Sequence, residues 1–203
     1  MPPLPIYQPP PDKAFVLAGP HHMLMKLRWE IDQLRKSLSA QTDQDAHLHA
    51  PAYHAFNCAV TAWHLADWVW QSIDAEGHAF ILSKLAVAPT GKKDFGLFTR
   101  ELMRRHRALH ICRQLATGSK HKIVEMHPDP AVRAEGAWDS EPMRVGSGVG
   151  SRLVSYSIRL SIRDGEESRP ALEVFDDAAQ TWDRLLREWG FMEPRFVGAK
   201  EAP

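Results

Sequence analysis

Two histidines one helical turn apart, His106 and His110, lie in the part of the chain that is richest in arginine. The i, i+4 spacing places both imidazoles on one face of a helix, beside Arg105. A histidine can take up or donate a proton near neutral pH, and an arginine can stabilise the charge of a phosphorane. Arg105, His106 and His110 are therefore candidate catalytic residues for RNA cleavage. His121 is a fourth candidate, because Gly118 is expected to end the helix and let the chain turn back.

The same two histidines have the spacing by which a helix chelates a metal ion. The zinc-protease motif also needs a glutamate after the first histidine, and Arg107 stands there instead. The neighbouring arginines would repel a cation. Cys58 and Cys112 occupy apolar positions and are too few for a four-cysteine zinc site or a disulfide scaffold. We therefore expect neither a metal nor another cofactor, and a reducing cytoplasm as the compartment.

Residues 84–122 carry ten lysines and arginines but only two acidic residues, a net charge of +8 in a chain whose formal net charge is zero. One interpretation is a basic surface that binds a polyanion such as RNA. The other is a solvated helix face whose charge is met by acidic neighbours in the fold. The candidate nucleic-acid-binding residues are Lys92, Lys93, Arg104, Arg107, Arg113, Lys120 and Lys122.

Residues 52–73 form a helix that is apolar on nearly every side, which is typical of a central helix. Its polar members, Asn57, Thr61, His64 and Asp67, each need a partner and form a candidate supporting network. Arg105 falls near an apolar helix face, so we expect a carboxylate opposite it, most simply Asp67. Asn57, Thr61 and His64 follow one another at spacings of four and three residues, and so do His106, His110 and Arg113, so each helix has a polar stripe. If the two stripes face each other, they form a groove in which His106, His110, Arg113 and His121 face Asn57 and His64. The alternative is that the two stripes face different neighbours.

The elements that position these residues follow from hydrophobic periodicity. Helices are expected over about 22–41, 52–73, 96–117 and 177–189, the last one capped by Asp176 and ended by Gly190. The helix over 22–41 has its leucines on one stripe, and Glu30 with the other charged residues takes the other faces. Residues 127–151 read as loop. Alternating residues over 154–162, a turn at 164–165 and a returning edge strand with Leu172 and Val174 predict a β-hairpin over 152–175.

The fold class is thus mainly α: a bundle of about four helices with a C-terminal β-hairpin inserted before the last helix. The chain has 203 residues, of which 44% are hydrophobic, enough for one core. We expect one helical domain over 21–195, a proline-rich N-terminal tail over 1–20 and a C-terminal tail over 196–203. No apolar run is long enough to cross a membrane, and the N-terminus lacks a signal-peptide pattern, so no membrane partner is expected.

The segment Arg105-His106-x-x-x-His110 resembles the Arg-polar-x(n)-His motif of the HEPN superfamily, and residues 113–121 resemble degenerate segments of the same kind. The superfamily consists of small helical-bundle proteins. Many are ribonucleases of toxin–antitoxin, abortive-infection and CRISPR systems, and they usually act as dimers. The resemblance implies that Arg105 and His110 form the catalytic pair, that His106 supports them, and that the chain forms a homodimer. Residues 62–68 and 119–121 are also similar to a group of bacterial proteins to which we attach no activity.

Two functions are compatible with these patterns. The first is a HEPN-like RNA-binding protein or metal-independent endoribonuclease of a bacterial toxin–antitoxin or phage-defence system. The alternative is a non-catalytic helical scaffold or interaction module, with a protein partner, whose buried His, Asp and Arg network is structural. The exposure of His110 separates them, because a catalytic histidine must be reachable by a phosphodiester.

Overall fold

The computed structural model of the chain describes residues 15–39, 49–120, 128–142 and 154–192. This part of the chain is mainly helical, with a small antiparallel sheet before the last helix, as the sequence predicts. The elements are α1 (Pro20–Ser39), α2 (Ala50–Gln71), α3 (Ala75–Lys84), α4 (Asp94–Arg105), α5 (Arg107–Lys120), β1 (Val132–Pro142), β2 (Val154–Asp164), β3 (Glu167–Pro170) and α6 (Ala171–Glu188). None of the described helices is long and apolar enough to cross a membrane.

Helix α2 is the central helix, as its all-round apolar character predicts. It packs against α1, α5 and α6, and Leu65, Ala66 and Val69 are fully buried. Helix α6 is tied to it by a buried hydrogen bond, in which the indole Nε1 of Trp182 donates to the carbonyl oxygen of Ala62 over 2.8 Å. A buried indole N–H needs such a partner, so this bond fixes the position of α6 on the core.

Helix α1 buries its leucine stripe as predicted, but Glu30 lies in the core rather than in solvent, with 3% of its surface exposed. Lys26, one turn earlier, forms an ion pair with Glu30 and donates a hydrogen bond of 2.6 Å to the hydroxyl of Thr61 on α2. A buried carboxylate requires such a cation. Thr61 of the predicted polar network is therefore a structural contact between α1 and α2.

The helix predicted over 96–117 is two helices, broken at His106. The backbone of His106 is extended, with φ −130° and ψ 92°, and its carbonyl accepts the first helical hydrogen bonds of α5 from Leu109 and His110. Gly118, expected beyond the helix end, lies inside α5. The break divides the predicted polar stripe of this region, so that Arg105 and His110 belong to different helices.

The sheet contains a strand that the sequence pattern does not reveal. Strand β1 lies in the middle of the predicted loop over 127–151, and it pairs antiparallel with β2 along eleven residues. Its core-facing side carries the small residues Ala134 and Gly136, which leave no hydrophobic alternation to read. The charged residues of the other face pair with β2: Glu135 with Arg163 at 2.8 Å and Asp139 with Arg159 at 2.5 Å.

The hairpin is shorter than predicted, and the last helix begins earlier. Gly165, with φ +64°, starts a two-residue turn, and β3 ends at Pro170, an edge position as expected. Leu172 and Val174, predicted in a returning strand, belong to α6. Asp176 therefore lies within the helix and does not cap it. The helical spacing of Val174, Ala178 and Trp182, all buried, decides this assignment.

The unpredicted helix α3 follows α2 after a short connection, and Gly77 packs closely against Ile73 of that connection. The carboxylate of Asp74 caps α3 by accepting a hydrogen bond from the Gly77 N–H. A Cβ on Gly77 would stand 2.7 Å from the Cβ of Ile73, whereas a Cβ on Gly96 of α4 meets nothing within 4 Å.

We expect Gly77→Ala to lower the free energy of unfolding by about 1–3 kcal/mol, because the added methyl group overpacks the contact. The matched control, Gly96→Ala, should leave stability unchanged or raise it by up to about 1 kcal/mol, since alanine is the better helix former. Urea unfolding followed by circular dichroism measures both. Equal effects of the two substitutions would contradict this account of α3.

Candidate functional site

An open groove of about 650 Å³ lies where the α4–α5 break, the end of β2, the start of β3 and α6 meet. Its polar lining comprises Arg105, His106, Arg107, Asp164, Glu167, Arg169, Asp177, Gln180, Thr181 and Arg184. The break is what places a histidine here, because an extended residue between two helices turns its side chain away from both helical stripes. The groove therefore combines a titratable imidazole with four guanidinium groups.

The imidazole of His106 is half-buried and accepts or donates no hydrogen bond within the described residues. Burial lowers the pKa of His106 below the ordinary value of 6.5, and the nearby positive charges of Arg184 and Arg105 lower it further, against a weaker opposite effect of Glu188. His106 is therefore neutral at pH 7. A neutral, unbonded imidazole on an open groove is chemically able to accept a proton.

Arg184 on α6 is exposed and, across the described part of the chain, has no carboxylate within 4 Å. The other three arginines of the groove are paired. Arg105 bonds Glu101 at 2.8 Å and the backbone carbonyls of Lys84 and Leu85, while Arg169 bonds Asp177 at 2.6 Å. Arg184 is thus the groove's guanidinium that remains open to an incoming anion.

Arg107, the first residue of α5, joins the helix to the sheet. Its guanidinium donates two hydrogen bonds to the carboxylate of Asp164 at the end of β2, at 2.5 and 2.8 Å, and one to Asp129 at 2.9 Å. The Arg107 hydrogen bonds hold the pKa of Asp164 below its usual range. Partial burial would raise the pKa of Asp129, but hydrogen bonds from Ala131, Arg107 and His110 outweigh it and lower that pKa.

His110 belongs to this ion-pair network and does not line the groove. Its Nε2 lies 2.9 Å from the Oδ2 of Asp129, and its side chain is 20% exposed. Arg113, one turn further, stands over the ring of Trp63 at 5.7 Å in a cation–π contact. Of the predicted groove residues that the structure describes, His106 alone lies in the observed groove.

Arg105 has the carboxylate partner that the sequence analysis expects, but that partner is Glu101 and not Asp67. Glu101 lies one helical turn before Arg105 on α4, and the Arg105 guanidinium also donates hydrogen bonds to the backbone carbonyls of Lys84 and Leu85 at the end of α3. Asp67 is half-buried on α2, where burial raises its pKa against the effect of the nearby His64. Asn57 and His64 are exposed on the same helix and line no part of the groove.

The predicted basic surface is divided between paired and free charges. Arg104 bonds Glu101 at 2.6 Å, and Arg107 is held by the sheet. Lys92, Lys93 and Lys120 are exposed, with no carboxylate within 4 Å among the residues described. His121 and Lys122 lie outside the described residues. The alternative interpretation requires acidic neighbours for the basic residues of segment 84–122. Among the described residues, such neighbours are present for some of these basic residues and not for others.

Among the residues of this region that sequence reasoning missed are Arg184 and the two carboxylates that hold Arg107, Asp129 and Asp164. Arg184 belongs to the polar face of the last helix, 78 positions after His106, and no local pattern links the two. Asp129 lies in the segment His127-Pro-Asp-Pro130, which signals only the end of a helix.

In the described ranges, no three His, Cys, Asp or Glu side chains come together as they would around a metal ion.

The Arg107 network makes stability depend on pH. Because the folded pKa values of Asp129 and Asp164 lie below the unfolded value of about 3.9, their contribution is present above that pH and is lost as pH falls through the folded pKa values. We expect Arg107→Gln to cost about 1 kcal/mol at pH 7 and progressively less below about pH 4. Urea unfolding across pH measures this. Lys93→Gln, at an unpaired lysine, is the control, and a pH-independent cost of Arg107→Gln would contradict the network.

The electrostatic coupling of His106 to Arg184 can be measured directly. Arg184→Gln removes a cation that disfavours the protonated imidazole, so the pKa of His106 should rise toward 6.5. Titration of the histidine Cε1 protons by NMR reports it, with the His106 signal assigned from its loss in His106→Asn. Arg187→Gln, one turn away and bonded to Asp183, should leave the His106 titration unchanged. An unaltered pKa in Arg184→Gln would refute the coupling.

Comparison of the chain with protein-family models, with curated proteins and with solved structures gives no match. The resemblance to the HEPN superfamily therefore rests on the sequence motif of residues 105–110.

Proposed function

We propose that the protein binds RNA in the groove at the α4–α5 break and cleaves it without a metal ion. One observation carries the proposal: a neutral, unbonded His106 stands beside Arg184, which has no carboxylate partner among the described residues, in a groove open to solvent. Metal-independent cleavage of a phosphodiester needs a proton acceptor and a cation at one accessible place.

The chemistry follows from these two groups. His106 takes the proton of a ribose 2′-hydroxyl, whose oxygen attacks the adjacent phosphorus. The phosphorus–O5′ bond breaks, and the leaving oxygen takes a proton from water. The products are a 2′,3′-cyclic phosphate and a 5′-hydroxyl end. Arg184 stabilises the charge that builds up on the phosphoryl oxygens, and the free lysines Lys92, Lys93 and Lys120 supply further, sequence-independent contacts to phosphate.

The proposal retains the HEPN-like motif but assigns its histidines differently. The motif makes His110 the catalytic histidine and His106 its support. The hydrogen bond between His110 and Asp129 favours a positioning role for His110, and the open environment of His106 favours proton transfer. Arg105, bonded to Glu101, would then hold the wall of the groove rather than the phosphate.

A non-catalytic scaffold is the second candidate, and a specific observation favours it. The polar groups that a catalytic interpretation would use are largely occupied by one another: His110 with Asp129, Arg107 with Asp164, and Thr61 with Lys26. Such a satisfied network fixes the register of helices without any reaction. The two candidates differ in what they require of His106.

The test is cleavage of a fluorescently labelled single-stranded RNA in the presence of EDTA. We expect His106→Asn to lower the cleavage rate by about 10²-fold or more while RNA binding is kept. His110→Asn is the matched control and should lower stability with little loss of cleavage. Arg184→Gln should weaken RNA binding and reduce its salt dependence, whereas Arg187→Gln should not.

The outcomes separate the candidates. Absence of RNA binding and of cleavage at low salt would leave the scaffold as the function. Cleavage that is lost in His110→Asn but kept in His106→Asn would return the catalytic role to the position that the HEPN-like motif implies. Binding without cleavage would reduce the proposal to its RNA-binding part.

A further inference from the structure

We infer that two copies of this chain pair through the outer edges of their β1 strands, antiparallel and centred on Gly136, to form one six-stranded sheet. The inference uses neither His106 nor Arg184 and is independent of the proposed function. It rests on three features of β1, as seen among the described residues: a backbone edge with no strand beside it, small residues beside an apolar cleft, and an arginine with no carboxylate partner.

The first feature is the open edge. Strand β1 is eleven residues long and pairs with β2 on one side; no described strand pairs with its other side. The N–H of Gly165 donates to the carbonyl of Ala131, and these two residues stand one step beyond Val132 and Asp164, the first residues of the register. Because hydrogen-bonding direction alternates along an antiparallel strand, Ala134, Gly136 and Trp138 point their N–H and C=O groups away from β2. Such an edge is a template for another strand.

The second feature is an apolar cleft of about 260 Å³ between the sheet, α2 and α6. It exists because Ala134 and Gly136 stand opposite the larger Ile162 and Leu160 of β2. Trp138, on the same face of β1, is 46% exposed. Pairing about Gly136 sets Trp138 of each copy opposite Ala134 of the other, so that each large side chain covers the space beside a small one.

The third feature selects the register. Arg133 is exposed and stands directly opposite Arg163 on β2, whose guanidinium bonds Glu135 instead. Within the described residues Arg133 has no carboxylate within 4 Å. Pairing about Gly136 places it opposite Asp139 of the second copy, and the reverse contact forms by symmetry. A register shifted to centre on Ala137 would place Glu135 opposite Asp139, two like charges, which is unfavourable.

The mass of the full chain in solution, measured by light scattering after size exclusion, tests the pairing. We expect twice the mass of the 23.0 kDa chain. Arg133→Asp should give a monomer, since it faces Asp139 with a like charge, and Arg133→Asp with Asp139→Arg should restore the dimer. Arg159→Gln, which removes the partner of Asp139 within the same sheet, is the control and should remain dimeric.

A cross-link tests the register itself. Cα atoms of a hydrogen-bonded antiparallel pair lie about 5.5 Å apart, within the range that a disulfide spans. Gly136→Cys should therefore give a covalent dimer on oxidation, while Ser168→Cys on the exposed strand β3 should not. The native Cys58 and Cys112 are fully buried and do not compete. A monomer would overturn the inference, as would a dimer that survives Arg133→Asp or a Gly136→Cys variant that does not cross-link.

Discussion

The paired hydrogen bonds between Arg107 and Asp164 are the contact on which the arrangement of the candidate site depends. They join the first residue of α5 to the last residue of β2, and the third bond, to Asp129, holds the chain just before β1. A planar guanidinium recognises a carboxylate with defined geometry, so this contact fixes orientation as well as distance. Carboxylates at the start of α5 also interact favourably with the helix dipole. The start of α5, which forms one wall of the groove, is thereby fixed to the sheet.

The helix break next to this contact gives two histidines four residues apart different surroundings. His110 lies on α5, facing Asp129, and becomes part of the network that holds the sheet. His106 lies in the break before the helix, where burial and two arginines keep its imidazole neutral and no described group bonds it. The spacing of the pair indicates shared chemistry, whereas the break gives one histidine a structural contact and leaves the other free to react.

The small sheet has one face on the core, and no described strand pairs with the outer edge of β1. Its outer face is stabilised by ion pairs that run diagonally between strands, Glu135 with Arg163 and Asp139 with Arg159, and its inner face leaves a cleft where β1 carries Ala134 and Gly136. Because β1 carries small and charged residues, its sequence shows little hydrophobic alternation. Among the described residues, the outer edge of β1 is open to pairing with another strand. The features that conceal this strand in the sequence are thus the same ones that suggest its pairing with a second copy.

The sequence by itself determined the elements whose signal is local and periodic: the leucine stripe of α1, the all-round apolar α2 and the alternation of β2, and with them the mainly α fold and the hairpin before the last helix. It could not determine that Glu30 is buried, that the helix over 96–117 breaks at His106, or that Arg184 stands beside that histidine. Hydrophobic periodicity indicates which face of an element is apolar, and a few turns of chain are enough to show the pattern. A buried ion pair, a break or a groove depends on contacts between residues that are far apart in sequence, and only the tertiary structure brings those together.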